Sequence, residues 1–153
     1  MIEQVAIVLI MTSTLVLRKF VTFSSCAILD SAIGWECRKE VDARLNSMSK
    51  ILVVEDSQVQ RELMATLLKK NHFEIATASN GLEAIAQVQL LHPDIVILDI
   101  VMPKMNGYEL CRQLRENPET WNINIVICSA KSTTVDRYWG MRNGANAYIS
   151  KPF

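Results

Sequence analysis

The sequence predicts an α/β fold built on an open parallel sheet, and three observations point there. Five short apolar runs of strand length occur at 51–54, 73–76, 95–98, 125–128 and 147–149. The segments between them carry apolar residues at helical spacing, and residues that start helices stand at the head of those segments. Strands alternating with helices make βα units, and parallel neighbours need such crossovers. The chain has 153 residues, half of them hydrophobic. That is the size of one domain and excludes a large multidomain enzyme.

Taken in order, strand one (51–54) leads to a first helix in which Val59, Leu63 and Leu67 recur at i, i+4 and i+8. After strand two (73–76), Leu82, Ile85 and Ala86 mark the second helix; after strand three (95–98), Leu110, Cys111 and Leu114 mark the third. These stripes are expected to face the sheet. Ser57 with Gln60, Asn80 with Glu83, and Asn106 with Glu109 each set a capping residue three positions before a Glu or Gln. Asn117 and Pro118 stop the third helix. A fourth, at about 134–143, has the weakest pattern, and Gly144 can end it before strand five.

Sixteen basic residues balance sixteen acidic ones. No basic cluster is available for counterion release, which argues against a nucleic-acid partner. Cys26, Cys37, Cys111 and Cys128 form no CxxC pair, and four cysteines are too few for a disulfide scaffold. They read as reduced, mostly buried thiols. His72 and His92 have no ligand at metal spacing.

Residues 1–47 differ in character. The apolar stretch 5–17 is shorter than the roughly 20 residues needed to cross a bilayer. Its flanks, Glu3 before and Arg18 and Lys19 after, are wrong for a signal peptide. The sequence around Cys26 makes a poor lipobox, and 38–45 reads as a short amphipathic helix without chemistry. Met48 stands just before strand one, so the expected organisation is an N-terminal extension over 1–47, poorly ordered or a start-site artefact, and a domain over 48–153. The alternative for the extension is a membrane-associating segment.

Polar residues collect at the carboxyl ends of the strands. Glu55 and Asp56 end strand one, Asp99 ends strand three, Ser129 ends strand four, and Lys151 follows strand five. Topology brings such ends into one crevice. Taken singly, each has a plainer role: Asp56 as a helix cap, Ser129 in a turn, Glu55 and Lys151 as surface charges. Together they describe a site. Three clustered carboxylates repel by roughly 4 kcal/mol per pair at 4 Å and an effective dielectric near 20. A hard divalent ion offsets this, and Mg²⁺ suits an all-oxygen donor set that also leaves room for water and phosphate. Such a site is built to place a phosphoryl group on a carboxylate, and Asp99, following the apolar third strand, is the best nucleophile.

Four stretches carry a family resemblance: Lys50-Ile-Leu-Val-Val-Glu-Asp-Ser57, Asp99-Ile-Val-Met-Pro-Lys-Met-Asn-Gly107, Ser129-Ala130, and Gly144-Ala-Asn-Ala-Tyr-Ile-Ser-Lys-Pro-Phe153. In order and spacing, from Ser49 to Phe153, the chain resembles the CheY-like receiver domain of bacterial two-component response regulators. The resemblance implies a doubly wound, flavodoxin-like sheet in the order 2-1-3-4-5. It implies that Asp99 is the phosphoacceptor and that Asp56 and Asp99 bind Mg²⁺ with the backbone carbonyl of Val101, Glu55 acting through a metal-bound water. Ser129 and Lys151 would bind the phosphoryl group, and Tyr148 matches the aromatic switch position paired with Ser129. The implied partners are a sensor histidine kinase or phosphotransfer domain and a downstream protein target, in the cytoplasm, with neither nucleic acid nor membrane expected. The stretch Asp136-Arg-Tyr-Trp-Gly-Met-Arg-Asn-Gly144 resembles stand-alone regulators of twitching motility and chemotaxis-like pathways.

Two departures set further expectations. Val101, two positions beyond Asp99, cannot hydrogen-bond an attacking water, so the phosphoaspartate should be long-lived. A receiver continues into a fifth helix of about three turns. The sequence ends at Phe153, so the fold is expected to lack it, leaving an uncovered apolar strip on the sheet beside the first helix and a marginally stable scaffold. No DNA-binding effector is expected. The rival readings are a phosphorylation-independent receiver acting only as a binding module and, more weakly, a Mg²⁺-dependent phosphatase of the haloacid dehalogenase type. The latter needs a second acid where Val101 stands.

Overall fold

The computed structural model describes residues 49–70 and 73–151. Its strands are β1 (Lys50–Val54), β2 (Glu74–Ala78), β3 (Ile95–Leu98), β4 (Asn124–Ser129) and β5 (Ala147–Ser150). Among the described residues the helices between them are α1 (Gln58–Lys69), α2 (Gly81–Leu91), α3 (Gly107–Glu116) and α4 (Thr134–Arg142). All strand pairs are parallel and the sheet order is β2-β1-β3-β4-β5, as the resemblance implies. The chain reverses its direction of travel across the sheet between β1 and β3. Crevices open beyond the carboxyl ends of strands at such a switch point.

β1, β3 and β4 read as unbroken apolar runs because both of their faces are buried. On one face Leu52, Val54, Val96, Leu98, Ile125 and Ile127 pack with Ala84 and Val88 of α2 and Leu110, Cys111 and Leu114 of α3. Each large aliphatic buried this way contributes about 1.5–3 kcal/mol. β2 lies at the sheet edge and is only half-buried. It starts one residue later than expected and runs to Ala78, matching β1 from Lys50↔Glu74 to Val54↔Ala78.

The third-helix stripe faces the core as expected; the first is displaced, and the second holds only through Ile85, which packs against the core. On α1, Val59 and Leu63 are 77% and 51% exposed, and the buried residues are Met64, Ala65 and Leu68. The helix carries two apolar stripes. The sheet takes the one that lets Arg61 donate to the carbonyls of Glu55 and Asp56. On α2, Leu82 is exposed and the small residues Gly81 and Ala84 with Val88 are buried instead. A close approach selects them: a Cβ on Gly81 would lie 2.8 Å from Met105 of the β3–α3 loop. The expected bare strip on the sheet is not found either, for Val126, Cys128, Ala147 and Ile149 are all buried.

Caps follow local chemistry. Asn106 and Glu109 form the full capping box at α3, and at α2 Asn80 accepts from the Glu83 amide. Ser57 makes no side-chain cap bond at α1. Thr133 and Asp136 form a box at α4 that the Glu/Gln pattern missed, since a shorter acid serves equally. Gly144, at φ +100, ends α4 in the left-handed region that glycine enters freely.

Cys111 and Cys128 are free and buried, and burial pushes their thiols up to about 11 and about 12, so they stay protonated and inert. Cys26, Cys37, His72 and every feature assigned to residues 1–47 lie outside the described residues. No described helix is long and apolar enough to cross a membrane.

Candidate functional site

The carboxyl ends of β1, β3, β4 and β5 come together through strand pairing. Val54 pairs with Leu98, Leu98 with Ile127, and Ser129 with Ser150. Ladder bonds continue past the strands: the Asp99 amide donates to the Val54 carbonyl at 3.0 Å and the Lys151 amide to the Ser129 carbonyl at 2.8 Å. Residues separated by up to 96 positions thereby meet. The Lys151 ammonium donates to Glu55 Oε2 at 2.6 Å, to Asp99 Oδ2 at 2.9 Å and to Gln60 Oε1 at 2.7 Å.

Glu55 is 2% exposed, and Asp99 and Ser129 are also buried. Asp99 is held on both sides. Its Oδ1 accepts from the amides of Ile100 and Val101, its Oδ2 from Lys151. The backbone of the β3–α3 loop thus fixes one carboxylate oxygen and leaves the other toward the ammonium. Behind it, the Gly107 amide donates to the Ile100 carbonyl at 3.0 Å, so α3 starts directly against the strand end.

Of the expected acids, Glu55 and Asp99 are joined through Lys151 and Asp56 stands apart. Asp56 is exposed, and its Oδ1 accepts from the amide of Ser57 at the start of α1. Among the described residues no three His, Cys, Asp or Glu side chains form a ready metal-holding group. The donor chemistry nonetheless suits Mg²⁺: the acids offer only hard oxygen atoms, and two of them are buried beside a single ammonium.

Ser129 Oγ accepts from the Lys131 amide at 3.4 Å, and the Lys131 carbonyl in turn accepts from the Tyr148 hydroxyl at 2.7 Å. Tyr148 is buried. Its ring lies against Gly140, where a Cβ would come within 2.8 Å, and the Arg137 guanidinium sits 5.5 Å from the ring centre. Burial pushes its phenol up to about 12. Val101 is 56% exposed beside this crevice. Sequence reasoning did not single out Arg61 or Gln60 as parts of the site. The available signal was their position in the first turn of the helix that follows the acid pair.

The electrostatics give a pH signature. Burial raises the Glu55 carboxyl above its ordinary 4.5, outweighing the Lys151 ammonium. For Lys151, burial opposes the charge, but its bonds to Glu55 and Asp99 win and raise the amine above 10.5. A raised Glu55 means the folded state binds its proton more tightly than the unfolded chain. Stability from this group is therefore present below pH 4.5 and declines as pH rises from there through the folded value. The Lys151 contribution is lost only above 10.5. Glu55→Gln is expected to remove the first decline, seen as a wild-type-minus-variant difference in denaturation midpoint that falls as pH rises above 4.5; a difference that does not change with pH would contradict it.

Comparison with known proteins matches this arrangement to one family. The model of the response regulator receiver domain matches residues 51–153. Protein PilH of Pseudomonas aeruginosa is 37% identical over 105 residues, covering 69% of this chain and 87% of PilH. The DNA-binding response regulator MtrA of Mycobacterium tuberculosis is 39% identical over 104 residues, 68% of this chain but only 44% of MtrA. Among solved structures, the chemotaxis protein CheY4 of Vibrio cholerae superposes with a TM-score of 0.67 at 30% identity, covering 69% of this chain and 88% of CheY4.

Proposed function

The chain belongs to the response regulator receiver domain family, and from that premise we propose that it accepts a phosphoryl group on Asp99 from a sensor histidine kinase or phosphotransfer domain and signals through a phosphorylation-dependent surface. The observation that carries this reading is the Lys151 ammonium held between Glu55 and Asp99. It marks the place where negative charge is expected to grow. An Asp99 oxygen attacks phosphorus, the bond to the donor's leaving group breaks, and that group departs with the electron pair. Glu55, Asp56, Asp99 and the carbonyl of Val101 would hold Mg²⁺, which when bound supplies charge neutralisation for the phosphoryl oxygens.

Phosphorylation replaces one carboxylate charge with about −1.5 to −2. Lys151 and the Ser129 hydroxyl are drawn toward the new oxygens. Ser129 is linked through Lys131 to the Tyr148 hydroxyl, so a shift at Ser129 loosens the bond that holds the ring. Ser129 and Tyr148 are the switch pair in this reading. In this reading the target is a protein of a motility or chemotaxis-like pathway rather than DNA, in the cytoplasm, and the likeness to the chemotaxis protein CheY4 supports the choice of pathway. The unit that carries the function is residues 48–153.

Incubation with Mg²⁺ and acetyl phosphate tests the reading. An intact-mass gain of one phosphoryl group in wild type and none in Asp99→Ala supports it. An unmodified wild type favours a binding module, and steady phosphate release without an adduct favours a phosphatase. Val101 is apolar and exposed at the crevice, so Val101→Asn is expected to shorten the phosphorylated lifetime several-fold by orienting water; decay at the wild-type rate would contradict that role.

A further inference from the structure

An ammonium has three N–H donors, and in Lys151 all three are used, on Glu55, Asp99 and Gln60. A phosphoryl group on Asp99 replaces that carboxylate by acceptor oxygens lying farther out, so Lys151 must shift to follow them and one of its two other bonds must yield. One of those two is an ion pair with the buried Glu55. The other runs to a neutral amide on the exposed first turn of α1, where water replaces the lysine readily.

We propose that Gln60 is a positioning residue: it holds Lys151 back in the unphosphorylated protein and, by yielding, sets how tightly the site takes a phosphoryl group. This rests on the phosphoacceptor reading above. It also accounts for the missing half of the Ser57–Gln60 capping box that would use the Gln60 side chain, because its carbonyl oxygen is engaged by Lys151 and the Ser57 amide donates to Asp56 instead. No backbone element depends on this side chain, so its replacement leaves the fold intact.

The role gives opposite signs for two substitutions of similar size. Gln60→Leu frees one Lys151 donor and should tighten binding. Gln60→Glu adds a third carboxylate to the ammonium, strengthening its hold and repelling an anion, and should weaken binding. Both residues are good helix formers, so helix propensity does not separate them.

The test is titration with beryllium trifluoride, a phosphoryl mimic, in the presence of Mg²⁺, read by intrinsic fluorescence. The expected result is about threefold tighter binding for Gln60→Leu and at least tenfold weaker for Gln60→Glu, with melting temperatures near wild type. In a Lys151→Met background, both Gln60 substitutions should lose their effect. Unchanged affinities, same-sign changes or effects that persist without Lys151 overturn the role of Gln60 while leaving the phosphoacceptor reading intact. Absence of binding by wild type overturns both.

Discussion

Gly107→Ala is expected to destabilise the fold by about 3 kcal/mol, the upper range for overpacking, and to abolish phosphoryl acceptance at Asp99. A Cβ there would lie 2.3 Å from the Asp99 carbonyl oxygen, 2.8 Å from the Ile100 Cα and 2.8 Å from Leu98 Cδ1. Two of those atoms are backbone, so no rotamer change relieves the clash. Either α3 retreats or the end of β3 bends, and both move the phosphoacceptor away from Lys151. For a domain of this size the loss corresponds to roughly 12 °C or more in melting temperature. Gly81→Ala is the control. Its Cβ would lie 2.8 Å from Met105 Cβ, which the backbone holds, so the substitution should also destabilise, by about 1–3 kcal/mol, but without touching Asp99 or Ile100. Melting curves with phosphoryl uptake on both variants check the pair; a Gly107→Ala protein that melts and phosphorylates like wild type would contradict the packing argument.

The second large effect is expected far from the site. Arg115 on α3 is half-buried and has no carboxylate partner among the described residues, and burial lowers its pKa. Its guanidinium donates to the carbonyls of Gly144, Trp121 and Ile123 and to Asn146 Oδ1, all at 2.7–2.8 Å. These bonds tie α3 to the α3–β4 loop and to the turn before β5. Asn146 Oδ1 also accepts from the Ile125 amide, which extends the tie into β4. Hydrogen bonds from charged donors contribute about 1.5–3 kcal/mol each, less where water replaces them. Arg115→Met is therefore expected to cost about 3 kcal/mol in urea denaturation. Arg115→Lys should recover little of it, because a single ammonium cannot reach four acceptors spread around a planar fork. Full recovery by lysine would show that charge, rather than the fork geometry, is what matters.

The legible parts of the fold and the illegible ones differ for physical reasons. Strands buried on both faces appear in sequence as uninterrupted apolar runs, so β1, β3 and β4 could be read directly. The Glu55–Asp99–Lys151 meeting was legible because parallel topology alone aligns strand ends. Helix faces were harder. Val59 and Leu63 have the right spacing, but an apolar stripe is only an offer; Met64, Ala65 and Leu68 fit the sheet while placing Arg61 on the acid loop. On α2 the size of Met105 decided in favour of Gly81 and Ala84, which no periodicity reveals. The Asp56 bond to the Ser57 amide was equally invisible, since residue type alone does not fix which local donor a carboxylate takes. Arg115 escaped notice because its partners are backbone carbonyls, which leave no mark in a sequence.

The central claim is that Asp99 itself carries the phosphoryl group. Borohydride reduction of the phosphorylated protein, followed by peptide mass spectrometry, reads this directly, because reduction converts only the phosphorylated aspartate to homoserine. The account predicts conversion at position 99 alone, dependent on Mg²⁺ and on the phosphodonor. Conversion at Asp56, or an adduct at no aspartate, would contradict it.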